Sequence, residues 1–215
     1  MRRIITFFGL LFLTLTFLAG CKSTERVLFQ TPNQRLTSQL PPLEVSVENG
    51  DLGLTEGAWP EDPLRVFRQE VNQNLTAPTD SIPYGYARLV VTKAEVKRTG
   101  RFFQALQMLT LMLPSVLGLP VEYYRTEVGA RVQILNTRGD TLATYAGTGR
   151  SKVRVAMYHG YSQTQAPRLS DVQALRLALD QIRPQIATDA DTLRQQLLTA
   201  GIVKIELTEA DSTGL

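Results

Sequence analysis

The stretch from Tyr123 to Leu135, YYRTEVGARVQIL, constrains the fold more than any other. Tyr124, Thr126, Val128, Ala130, Val132 and Ile134 fall on one side of it, and Arg125, Glu127, Arg131 and Gln133 on the other. Successive side chains of a strand point to opposite faces. The pattern therefore predicts a strand with one face against a core and one in water, as in an antiparallel sheet. A chain that contains such a strand must supply neighbours for its edges and a layer to cover its apolar face.

The neighbours are legible. NTRGD at 136–140 predicts a turn, Thr141 to Ala146 returns, and Ser151 to Tyr158 continues, with Ser151, Val153, Val155 and Met157 opposing Lys152 and Arg154. This reads as a hairpin extended to a third strand. Leu43 to Glu48 alternates as a first strand, and Tyr86 to Arg98 as a second, in which Thr92, Ala94 and Val96 oppose Lys93, Glu95 and Lys97.

Helices cover the face. Asp62-Pro63 suits a helix start, the Asp as a cap and the Pro at the first helical position. Leu64, Phe67, Val71 and Leu75 then share one side. Ser170-Asp171-Val172-Gln173 spells a capping box. Leu169, Val172, Leu175, Leu179, Ile182 and Ile186 form a stripe, with a kink or stop expected at Pro184. Asp191 to Ala200 reads as a second helical piece ended by Gly201, and Ile202 to Leu207 as a short final strand. The expected architecture is a single α+β domain over residues 43–207. Its sheet is largely antiparallel or mixed, with helices mainly on one face, and a disordered tail follows at 208–215.

The chain opens with Met1-Arg2-Arg3, then runs from Ile4 to Leu18 without a charge, then reads Ala19-Gly20-Cys21. A basic start, an apolar run and a small-residue end make a secretory signal peptide over residues 1–20. A membrane-spanning anchor is the competing reading, at the short limit for a helix crossing about 30 Å of hydrocarbon. LAGC at Leu18 to Cys21 resembles the lipobox of bacterial lipoproteins. That resemblance implies cleavage before Cys21, the only cysteine, and acylation of its sulfur. Each buried methylene contributes about 0.8 kcal/mol, and two chains anchor stably. The implied partner is a membrane, reached through the acyl chains on Cys21, with residues 21–42 as lipidated N-terminus and tether. Lys22, where retained inner-membrane lipoproteins carry Asp, implies the outer membrane, facing the periplasm.

Composition sets limits on function. The formal charge of +3 falls to +1 once Arg2 and Arg3 leave with the signal, 21 basic against 20 acidic residues. Nucleic-acid binders concentrate positive charge, so no nucleic-acid partner is expected. The only histidine, His159, has no second histidine or cysteine near it, so neither a metal site nor a cofactor is expected. No G-x-S-x-G marks a nucleophile. Gly147-Thr148-Gly149-Arg150-Ser151-Lys152 lacks the phosphate-loop spacing, and its glycines read instead as a bulge.

Two stretches remain as candidate sites. Phe102 to Val121, FFQALQMLTLMLPSVLGLPV, passes twenty residues without a charge. A buried helix over the sheet is one reading. The other is a partner or membrane contact through Phe103, Leu111, Val116 and Leu117, and partial exposure is expected. Tyr158, His159 and Tyr161 form a candidate weak binding surface.

LPSVLGLPVEYYRTEV and GTGRSKVRVAMYHGY resemble a pattern in uncharacterised bacterial lipoproteins, over roughly Arg101 to Ile186. The resemblance carries no catalytic residue. The function it implies is a non-catalytic, membrane-anchored binding or assembly component of the cell envelope, with an envelope protein as possible partner. A periplasmic carrier of lipid or small ligands, needing a deep apolar pocket, is the alternative, and a hydrolytic enzyme stands behind both. Nothing in the sequence fixes an oligomeric state.

Overall fold

The computed structural model describes residues 28–29, 34–77, 82–100, 109–110, 120, 122–156 and 161–203. The chain divides into Met1–Gln30 and Thr31–Leu215, and every element below belongs to the second unit. Four strands, β1 (Glu44–Glu48), β2 (Tyr86–Thr99), β3 (Glu122–Leu135) and β4 (Thr141–Val155), form one sheet in chain order. β1 runs parallel to β2, and the two following pairs are antiparallel. The sheet is thus mixed, and the domain is α+β as expected. Among the described residues, two α-helices, α1 (Asp62–Glu70) and α2 (Ala166–Ala200), join it.

The alternation in β3 is realised. Tyr124, Val128, Ala130, Val132 and Ile134 are buried with Ala87, Leu89 and Val91 of β2 and Tyr145 and Val153 of β4. Leu169, Leu175, Leu179, Ile182 and Ile186 of α2 are buried too, where the helix packs against β3 and β4. Fully burying each such side chain stabilises by about 1.5–3 kcal/mol.

Several local readings change. β4 is one continuous strand of 15 residues, not two pieces. Its register passes through Gly147 and Gly149 without a bulge, opposite Ala130 and Val128. Those glycines serve the helix. A Cβ on Gly149 would stand 1.9 Å from the Ala174 carbonyl oxygen and 2.5 Å from the Ala178 nitrogen, and one on Gly147 would stand 2.5 Å from the Ala178 carbonyl oxygen. Missing side chains let α2 lie directly on the strand. α2 also runs unbroken through Pro184 for 35 residues, so the separate piece at 191–200 is its last third. Ile182 and Ile186, both buried, hold the helix to the sheet on either side of the proline.

Ser170 is not a cap, because α2 begins at Ala166. With Asp171 it turns inward to polar groups on the sheet. Ser151 Oγ donates to the Ser170 carbonyl oxygen at 2.7 Å, and Thr126 Oγ1 lies 2.8 Å from both Ser170 Oγ and Asp171 Oδ1. Thr55 Oγ1 donates to Asp171 Oδ2 at 2.6 Å. Burial pushes the Asp171 carboxyl above the ordinary carboxylate range, and the bonds from Thr55 and Thr126 pull it part of the way back. Asp62 likewise is no cap: it accepts two hydrogen bonds from Arg168, at 2.6 and 2.8 Å. The Arg168 guanidinium also stacks 4.1 Å from the Trp59 ring.

α1 ends in a π turn, Val71–Leu75, which aims Asn74 inward beside Glu70. Arg183 of α2 donates to both oxygens of Glu70, at 2.5 and 2.9 Å, and Asn74 donates to the same carboxylate at 2.7 Å. Residues 34–42, read from sequence as tether, are bonded into this region. The Leu36 and Leu40 amides donate to the carbonyls of Asn74 and Leu75, and both leucines are buried. At the other end Ile202 and Val203 lie outside any strand. The Val203 amide donates to the Pro83 carbonyl at 2.8 Å, and residues 204–215, with the tail, lie outside the described residues.

β4 borders the sheet, and two side chains of α2 reach its free edge. Gln181 Oε1 accepts from the Thr148 amide at 3.0 Å, and Gln185 Nε2 donates to the Ala146 carbonyl at 2.9 Å.

Candidate functional site

Among the described residues, both helices leave the second face of the sheet open. Directly opposed residues of a ladder point to the same face, so register turns the outward positions of three strands into rows. Nearest the ends of β2 and β4 stand Thr99, Tyr123 and Arg154. The next row is Lys97, Arg125 and Lys152, three cations directly opposite one another. Behind it come Glu95, Glu127 and Arg150, then Lys93, Gly129 and Thr148.

The carboxylates of this face are shared among its cations. Glu95 lies 3.4 Å from Lys93 and 3.8 Å from Lys97, and Glu127 accepts from Arg150 at 3.0 Å. The Arg150 hydrogen bond holds the Glu127 carboxyl below its ordinary range, with Lys93 and Lys97 adding to the effect. Among the described residues, no ion pair reaches Arg125 or Lys152. Lys152 Nζ sits 4.4 Å from the centre of the Tyr123 ring, a cation–π contact. Lys97, Arg125, Lys152 and Arg154 are all exposed.

Of the residues singled out from sequence, Cys21, Phe103, Leu111, Val116, Leu117, Tyr158 and His159 lie outside the described residues. Tyr161 is described. Its amide donates to the Arg154 carbonyl at 3.1 Å, and it bridges to Val155. Leu109, which a helix covering the sheet would bury, is 84% exposed. Because β2 ends at Thr99 and β3 begins at Glu122, the charge-free stretch Phe102 to Val121 is joined to the sheet at the end that carries the cation row.

A hollow beneath Trp59, lined by Leu52, Gly57, Pro63, Asp171 and Val172, has room for little more than one water molecule. That is far short of the several hundred Å³ typical of small-molecule sites; a wider, more open hollow of about 420 Å³ lies between Asp51, Leu54 and Glu56 on one side and Ala94, Val96 and Arg98 of β2 on the other. Among the described residues no group of three or more His, Cys, Asp or Glu is placed to hold a metal ion.

The fold defines a class: a single α+β domain with a four-stranded mixed sheet, helices on one face and a charged open face. No family model and no curated protein matches the chain. Among solved structures, a minor lipoprotein from Acinetobacter baumannii aligns with a TM-score of 0.29 and 16% identity, over 72% of this chain and 95% of its own. A likeness of that size carries no argument about this protein.

Proposed function

We propose that the protein is a lipid-anchored, non-catalytic component of the bacterial cell envelope, held at the outer membrane and facing the periplasm, whose folded body serves binding or assembly. One observation carries this reading: LAGC, with its cysteine at Cys21, closing an apolar run that follows two arginines. The open sheet face supports it, because that face offers a broad charged surface. The buried hydroxyls and carboxylate of Thr126, Ser151, Ser170 and Asp171 bond to one another, which is how polar groups behave when they staple a helix to a sheet.

Mass spectrometry of detergent-extracted protein is expected to show a chain beginning at Cys21 and carrying acyl mass. Cys21→Ser is expected to leave the precursor unprocessed or to release the body from membranes. A mature chain that still carries Arg2 and Arg3 overturns the reading.

A further inference from the structure

We propose that the open sheet face docks onto an anionic phospholipid membrane through the row Lys97, Arg125 and Lys152. Like charges directly opposite one another on neighbouring strands are destabilising. Glu95 beside Lys97 and the Tyr123 ring beside Lys152 offset part of that repulsion, and negative charge laid against the whole row offsets the rest. The nearest carboxylates are already engaged, Glu127 by Arg150 and Glu95 by Lys93 and Lys97.

The shape of the site selects the occupant. The row spans three strands, about 10 Å between the outer Cα positions. The backbone N–H groups between them are held in the ladder, and the hollow beside the row is lined by Glu95 and Glu127 as well as by Lys97, Arg125 and Arg150, so its own carboxylates oppose one compact anion. A line of cations fits a plane of many phosphates. The core of a specific protein interface is depleted of charge and of lysine in particular, yet two of the three residues of this row are lysines. Tyr123, under the Lys152 ammonium, adds an amphipathic ring of the kind favoured at headgroup level. The end of the sheet that carries the row is also where the chain enters and leaves its charge-free sequence.

The proposal rests on the acyl anchor only for proximity, since an anchored body meets the membrane continually. Each basic residue near an anionic leaflet strengthens association about fivefold, so the three together give on the order of a hundredfold. The attraction falls away as salt shortens the screening length.

The test uses full-length protein on vesicles of phosphatidylcholine alone and on vesicles that also contain phosphatidylglycerol. Amine-reactive labelling is read lysine by lysine by mass spectrometry. Lys97 and Lys152 are expected to lose reactivity several-fold on the anionic vesicles, and high salt should restore it. Arg125→Gln is expected to weaken that protection about fivefold. A thermal melt of the variant confirms folding, since it removes only an exposed charge. Flotation with the neutral vesicles reports the anchor, while the difference in lysine reactivity between the two vesicle types reports the face. Failure of one is therefore distinguishable from failure of the other. Equal reactivity on both vesicle types overturns the proposal. So does protection by an acidic protein with none by anionic lipid.

Discussion

Gly149→Ala tests the closeness of α2 to β4. On strand propensity alone, alanine should gain about 0.5–1 kcal/mol over glycine. The structure predicts the opposite sign. The new Cβ would lie 1.9 Å from the Ala174 carbonyl oxygen and 2.5 Å from the Ala178 nitrogen, both backbone atoms, so no rotamer change relieves the clash. Reaching an ordinary 3.4 Å contact requires the helix to lift by about 1.5 Å. A gap of 0.5–1 Å already forfeits a quarter to a half of a dispersion contact. The helix side chains that lose it include Leu175 and Ile182, each worth about 1.5–3 kcal/mol when fully buried. Overpacking of this kind costs about 1–3 kcal/mol. A backbone obstacle places Gly149→Ala at the upper end, about 3 kcal/mol. In urea, with a slope of about 2 kcal/mol/M, the midpoint should fall by about 1.5 M. Gly53→Ala is the control, because its nearest neighbour stands at 3.6 Å and its midpoint should hardly move. A midpoint for Gly149→Ala equal to or above that of the parent would refute the packing argument.

Asp171 and Arg183 give two further expectations. Because burial raises the Asp171 carboxyl in the folded state above its unfolded value, its stabilising contribution is full below the ordinary carboxylate range. It is lost as pH rises through the raised folded value. Asp171→Asn should flatten that part of a stability–pH profile measured by urea melts, and an unchanged slope would count against it. Arg183→Ala strands the Glu70 carboxylate, 4% exposed, and should cost about 3–5 kcal/mol. Arg183→Met combined with Glu70→Met should cost less than the two single changes together, and additive losses in a double-mutant cycle would contradict the pairing.

The sequence displays what a single segment can encode. The two-residue period of β3 and the stripe of α2 exposed their buried faces, because strand and helix periods repeat within one element. Contacts between elements were hidden. Gly147 and Gly149 have the same composition whether they bulge a strand or admit a helix, and only the Ala174 and Ala178 backbone above them decides. Ser170 has the spacing of a cap, but Thr126 and Ser151 lie 44 and 19 residues away and supply better partners. Pro184 usually ends a helix, yet the buried Ile182 and Ile186 outweigh its local preference. The cation row was present in pieces. Lys97, Arg125 and Lys152 each stood out as outward residues of separate strands, and the near-neutral balance of the whole chain masked their convergence. Pairing the strands in register is the step that brings them together.

The two glutamines of α2 have a consequence for how copies of this protein behave toward each other. A border strand of 15 residues offers an edge of the kind along which identical chains zip into extended sheets, and Tyr161 already pairs with one end of it, at Arg154 and Val155. Gln181 and Gln185 fill hydrogen-bonding positions near the middle of that edge, at Thr148 and Ala146. An incoming strand would have to displace both side chains before it could pair. Further along, the exposed charges of Arg150, Lys152 and Arg154 set like charge against like in an in-register parallel adduct. β1, at the opposite border, is only five residues long and turns Glu44 and Glu48 to the open face. Both borders of the sheet therefore carry features that disfavour strand pairing with a second copy.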